Sequence, residues 1–156
     1  LACCILTWSL VCLSLIDYDT QLLPDNITMP LLWLGLIVNA FDIVAQFEYA
    51  FWGAIAGYLS LWSVNTLFRL VRGYDGMGYG DFKLLAVLGA WMGWQALPLI
   101  IILSSLAGAA IGGALIAFGR DKSKPIPFGP YLAIAGWISL IWGAEITMFY
   151  LKFAAM

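Results

Sequence analysis

The chain has 156 residues, 63% of them hydrophobic and only 10% charged, with a mean hydropathy of +0.95. A soluble domain is about 25% charged, so this composition excludes an ordinary water-soluble fold and calls for lipid. The net charge of −2 leaves no basic footprint for nucleic acid, and the absence of histidine excludes His-based zinc peptidases, Ser-His-Asp and Cys-His catalysis.

Leu1 opens in the middle of an apolar run, with no Met and no basic flank, so the start does not read as a signal peptide. The expectation is a single membrane domain over residues 1–156, the C-terminal part of a longer chain whose N-terminal region is absent. Leu1 to Ile16 reads as one apolar helix ending at Asp17. Cys3, Cys4 and Cys12 lie in it at spacings that fit neither a CxxC zinc site nor a disulfide framework, and they read as small buried hydrophobes. Asp17 to Thr28, DYDTQLLPDNIT, carries three acids, a proline and cap-type residues, and reads as a loop.

A second helix is predicted from Met29 to Val44, with Pro30 in its first turn, where proline is tolerated. A third runs from Tyr49 to Leu67 without a charge and is followed by Arg69 and Arg72. Gly73 to Gly80 is a polar, glycine-rich loop. From Leu84 to Gly119 no charge appears; one helix of that length would be about 54 Å long, against a hydrocarbon core of about 30 Å. It must break, and Gly93-Trp94-Gln95-Ala96-Leu97-Pro98 is the natural place. Arg120 to Pro130 is the next loop, and Tyr131 to Tyr150 the last span. The expected fold is an all-α membrane bundle of about six transmembrane helices.

Six alternating spans put Arg69, Arg72, Lys83, Arg120, Lys122 and Lys124 on one side and only Lys152 on the other. The positive-inside rule makes the first side cytoplasmic, and Asp17 and Asp81 fall on it together. Lys83 and Arg72 read as anchors whose ammonium and guanidinium groups snorkel to the headgroups. Gly53/Gly57, Gly89/Gly93 and Gly108/Gly112 are small-xxx-small pairs that let helix backbones approach closely. Trp33, Trp52, Trp62, Trp94 and Trp142 read as packing residues or interface anchors.

The segment GMGYGDFKLLA, Gly76 to Ala86, delivers one carboxylate, Asp81, to the mouth of a long apolar stretch, and an acid there is a functional candidate. An aspartic protease needs one ionised carboxylate to activate water and one protonated carboxyl to polarise the scissile carbonyl. Two carboxylates held close cannot both ionise cheaply, so such a pair shares a proton. Asp17 and Asp81 come from different segments facing one side, as that chemistry requires. Gly78 and Gly80 would let an extended peptide come close, and a helix N-terminus would favour the ionised form of Asp81. Taken alone, the segment supports a plain helix N-cap as well as it supports catalysis.

Three blocks extend the pattern: IDYDTQLLPDNITMPLLWLGL (Ile16 to Leu36), GMGYGDFKLLAVLGAWMGW (Gly76 to Trp94) and KPIPFGPYLAIAG (Lys124 to Gly136). With GAIAGYLSLW between the first two, they cover most of the chain, and the sequence resembles the type IV prepilin peptidase family of GxGD membrane aspartic proteases. The resemblance implies Asp17, seven residues before the proline of Pro24-Asp25, and Asp81, ending Gly78-Tyr79-Gly80-Asp81, as the catalytic pair. Asp19 is the rival for the first role. It implies cleavage after a glycine of the short basic leader of type IV prepilins and type II secretion pseudopilins, on the cytoplasmic side of the bacterial inner membrane. It also implies N-methylation of the new amino terminus with S-adenosylmethionine by full-length members. No cofactor or metal is expected for the proteolysis.

Asp19 and Asp25, with Gly78 and Gly80, are the candidate substrate-binding residues, the acids steering a basic leader. A Ser-Lys role for Lys83 lacks a serine in the GYGD segment. The role of the IPFGP block does not follow from its residues. The reading from another class is a small transporter or proton relay, which should carry acids at mid-membrane depth, whereas every acid here falls near a span end.

Overall fold

The computed structural model describes residues 1–119 and 127–154. Six α-helices follow in order: α1 (Ala2–Thr20), α2 (Asp25–Asn39), α3 (Phe47–Arg72), α4 (Tyr79–Met92), α5 (Leu97–Ala117) and α6 (Gly129–Ala154), with a 3-10 turn at Trp94–Ala96 before α5. Stretches within α1, α3, α5 and α6 are long and apolar enough to cross a membrane. Arg120, Lys122 and Lys124, counted above in the charge asymmetry, and the start of the KPIPFGP block lie outside the described residues.

The centre of the molecule is α4. At 14 residues it is about 21 Å long, shorter than a hydrocarbon core. Its side chains from Phe82 to Trp91 are buried on nearly every side, by protein rather than lipid. The outward faces of the other helices carry exposed apolar side chains instead, among them Trp8, Trp33, Leu67 and Leu70. Trp52, Trp62, Trp94 and Trp142 also point outward, as interface anchors would.

Small residues make this enclosure possible. A Cβ on Gly57 would lie 2.6 Å from the Leu85 carbonyl oxygen, and Gly53 and Gly89 each sit against the other's backbone. α3 and α4 therefore touch backbone to backbone, the kind of close approach that small-xxx-small pairs permit. Gly108 of the third pair makes only ordinary van der Waals distances to Phe128 and Tyr131, so it serves no such close approach.

Hydrogen bonds fix the far end of α4. The buried Asn39 amide donates to the Ala90 and Trp91 carbonyls at 2.9 Å each, and its oxygen accepts from the Val44 and Ala45 N–H groups. The Trp91 indole N–H donates to the Leu31 carbonyl at 2.9 Å. Gly93, at φ +83°, then stops the helix in a conformation that side-chain-bearing residues rarely adopt, and the chain restarts at Leu97. The break falls where charge-free length required it.

Several boundaries differ from expectation. α1 runs on to Thr20, so Asp17 belongs to its last turns and not to a loop. The connection to α2 shrinks to residues 21–24, and α2 begins at Asp25, which places Pro30 inside the helix rather than in its first turn. The acids and cap-type residues of DYDTQLLPDNIT lie at helix ends, which lengthens α1 and starts α2 four residues earlier than expected, while α2 ends at Asn39 rather than Val44. The three cysteines lie exposed on the outer face of α1, not buried in the bundle.

Replacing Asn39 by Ala should leave carbonyls of α4 and N–H groups of residues 44 and 45 unpaired. The expected loss of stability is about 2–4 kcal/mol. Thermal unfolding in detergent should show a clear drop for Asn39→Ala and none for Asn26→Ala, which lies on the exposed start of α2.

Candidate active site

The C-terminal ends of α1 and α3 and the N-terminal ends of α2, α4 and α6 meet at one end of the bundle, around Asp17 and Asp81. Both carboxylates are buried, with 5% and 7% of the residue surface exposed. They are close enough that the charge on Asp17 acts on Asp81. The two acids that the sequence pairs are thus brought together from opposite halves of the chain.

Asp17 sits near the C-terminal end of α1, where the helix dipole disfavours a negative charge. The N-terminus of α6 faces it. The Gly129 N–H donates to Asp17 Oδ2 at 3.0 Å, across 112 positions of sequence. The IPFGP block therefore has a place in the site that its residues alone did not disclose.

Asp81 occupies the third position of α4, whose N-cap is Gly78. Its carboxyl reaches back to the Gly78 N–H, which is half of a capping box. Asp81 is therefore not the N-cap that the plain reading expected; Gly78 holds that place and Asp81 contributes from the third helical position. Asp81 also lines a cavity of about 430 Å³, with Gln21, Leu23, Gly78, Gly80, Phe128 and residues 75–77. Asp17 does not line this cavity; it is buried beside it against Gly129.

Asp81 lies in the first turn of α4, outside the four membrane-crossing stretches. Burial, and secondarily the Asp17 charge, push its carboxyl up to about 7, although the Gly78 N–H acts in the opposite sense. The expected preference of a helix N-terminus for the ionised form is outweighed by desolvation and a like charge.

The loop leading to Asp81 is ordered by a residue that the sequence did not single out. Asn65 of α3, itself buried, accepts from the Gly76 and Met77 N–H groups at 2.9 and 3.1 Å and donates to Asp75 Oδ1 at 3.1 Å. An amide side chain within a predicted span, beside Ser63 and Thr66, was the available signal. Gly73, at φ +82°, caps α3 and turns the chain into this loop.

Gly78 and Gly80 both line the cavity, in different ways. A Cβ on Gly78 would have only Asp81 Oδ2 near it, at 3.9 Å, so its missing side chain leaves open space. A Cβ on Gly80 would meet the Leu23 Cβ at 2.7 Å, so that glycine admits the segment after α1. Neither has a positive φ, and both act through space rather than conformational freedom.

The remaining acids divide. Asp19 is exposed, turned away from Asp17 by its two-residue offset on α1. Asp25 receives both of its short contacts from Lys83 Nζ, at 2.7 and 2.8 Å. Lys83 is thus an ion-pair partner at the site's edge rather than a headgroup anchor. Arg69 approaches Asp75 at 3.9 Å. Among the described residues no three His, Cys, Asp or Glu side chains cluster as metal ligands would.

A carboxyl raised from 3.8 to about 7 holds its proton more tightly in the folded state, so its ionisation lowers stability as pH rises through that window. Asp81→Asn should match the parent's thermal stability near pH 4 and exceed it increasingly up to about pH 7, the gain levelling above. Melting curves across that range check it, and a constant difference would refute it.

The model of the Type IV leader peptidase family matches residues 4–113, more than half of the chain. A Pseudomonas aeruginosa protein named Prepilin leader peptidase/N-methyltransferase is 62% identical over 151 residues, covering 96% of this chain and 52% of its own length. Proteins of the same name from Stutzerimonas stutzeri and Xanthomonas campestris are 60% and 50% identical, each over 97% of this chain and 53% of the relative. The chain thus spans about half the length of these curated relatives. No solved structure matches it. On the family match and on these identities, the chain belongs to the type IV leader peptidase family.

Proposed function

We propose that this domain is a membrane aspartic endopeptidase whose catalytic pair is Asp17 and Asp81. The single observation that carries the reading is the convergence of two buried carboxylates, one of them on a cavity at the bundle's end. Family membership supports it, as do relatives that are named for prepilin leader cleavage and N-methylation.

The division of labour follows from the surroundings. Asp17 is buried too, but it alone of the pair meets an N–H donor at the N-terminus of another helix, and it is assigned the ionised role on that ground. Asp81, raised to about 7, carries the shared proton near neutral pH. A water between them adds to the scissile carbonyl carbon as Asp17 takes its proton and Asp81 gives its own to the carbonyl oxygen. Collapse of the tetrahedral adduct breaks the C–N bond, and the leaving amine takes a proton from the pair.

The substrate proposed is the short basic leader of type IV prepilins and type II secretion pseudopilins, cut after glycine on the cytoplasmic side of the inner membrane. Arg69, Arg72 and Lys83 at the site's end of the bundle favour that side. The exposed Asp19 is the steering acid, and Asp25 contributes by neutralising Lys83, which would otherwise repel a basic peptide.

In the full-length protein, S-adenosylmethionine would supply a methyl group to the new amino terminus. Two grooves among the described residues do not fit it. The groove between α1 and α6 along Leu10, Val11 and Trp137 is apolar, and the one beside Ser139 and Gln95 has no charged lining residue to meet a sulfonium amino acid.

Cleavage of a synthetic prepilin-type peptide by the reconstituted protein should be abolished by Asp17→Asn and by Asp81→Asn, each with its fold intact. Retained cleavage in either variant removes that residue from the pair. The alkaline limb of kcat/KM in the parent should fall within about one unit of pH 7, where Asp81 loses its proton. At low ionic strength, Asp19→Asn and Asp25→Asn should raise KM by about 2–5-fold with kcat little changed, an effect that added salt erases. Unchanged KM in both would end the steering idea.

A further inference from the structure

We propose that Gly129 is a positioning residue for the reaction, its backbone N–H holding the Asp17 carboxylate in the geometry that proteolysis requires. The inference rests on the protease reading above and names a residue at the far end of the chain from the acid it serves.

Three features of residues 128–130 support it. The first helical residue of α6 has a backbone N–H with no intrahelical acceptor, and this one is spent on Asp17 Oδ2 at 3.0 Å, in a buried setting. Pro130, next along, has no N–H to offer, so the donor at this point of the turn is Gly129's. Finally, there is no room for a side chain. A Cβ at 129 would lie 2.5 Å from Asp17 Oδ2, 3.0 Å from its Cγ and 3.3 Å from its Cβ, and Gly129 is not in a positive-φ conformation. Glycine is required there by the carboxylate itself, not by the backbone.

The physical need is clear from α1. Asp17 stands near the negative end of its own helix, so nothing within α1 stabilises its charge. The N-terminus of α6 supplies the donor and the opposite dipole end. Phe128, the preceding residue, lines the cavity at Asp81, so one short segment touches both halves of the site.

A Cβ at 129 must push the Asp17 carboxylate away, and a displacement of about 1 Å can cost about 10²-fold in rate. Gly129→Ala in the reconstituted protein should lower kcat by about 10²-fold while KM for the synthetic peptide stays within about twofold, because the group moved acts on the water and not on the leader. Gly113→Ala, at a helical glycine with nothing within 4 Å, should leave both constants at the parent values. If Gly129→Ala does not accumulate as folded protein, an ester in place of the Phe128–Gly129 amide deletes the N–H without adding a Cβ. It should give the same split, of at least about tenfold in kcat. Retention of kcat within about twofold, or a parallel change in kcat and KM that tracks a loss of thermal stability, would overturn the proposal. Asp17→Asn run alongside separates the two failures. Cleavage kept by that variant defeats the protease reading at Asp17, whereas cleavage lost there but kept in the residue-129 variants defeats the positioning role alone.

Discussion

The backbones of α3 and α4 touch at Gly53, Gly57, Leu85 and Gly89, and the placement of Asp81 at the site depends on that contact. In lipid there is little water to expel between helices, so apolar side chains alone give weak direction to their packing. Close backbone approach supplies the direction. It seats α4 in the protein interior, away from lipid, and brings the first turn of α4 to one end of the bundle. The hydrogen bonds of Asn39 and Trp91 then hold the other end, so the short helix is tied at both ends.

A rigid α4 matters because Asp81 sits in an unfavourable setting. Burial and a neighbouring carboxylate both resist its ionisation. A loosely held segment would relieve that strain by turning the acid toward water. Asn65, holding the preceding loop by three hydrogen bonds, and Leu23, filling the space over Gly80, prevent it. Stability is given up at Asp81 and recovered in the enclosure around it.

The two carboxylates are supported differently, and the different roles proposed for them rest on that difference. Asp81 is buried at a cavity with one reaching-back contact to its own N-cap. Asp17 is met by the free N–H of another helix. Apart from them, the acids at this end are exposed, like Asp19, or compensated by cations, like Asp25 and Asp75.

The sequence by itself determined the all-α membrane class, the break at Gly93 and the glycine pairs that permit close backbone approach; Asp17 and Asp81 were paired by the charge count over six spans and by the family resemblance. The first three rest on something local: composition, charge-free length or residue size. It misjudged where α1 stops, because acids and cap-type residues mark helix ends as readily as loops. It also left the cysteines inside, because an apolar helix in lipid has no hydrophilic face to betray which side is out. Only the tertiary structure decided the partners. Lys83 meets Asp25 across 58 positions, and Gly129 meets Asp17 across 112, through a backbone N–H that no side-chain pattern encodes. Such contacts are set by how helices pack, and a one-dimensional pattern records residue types rather than the distances between them.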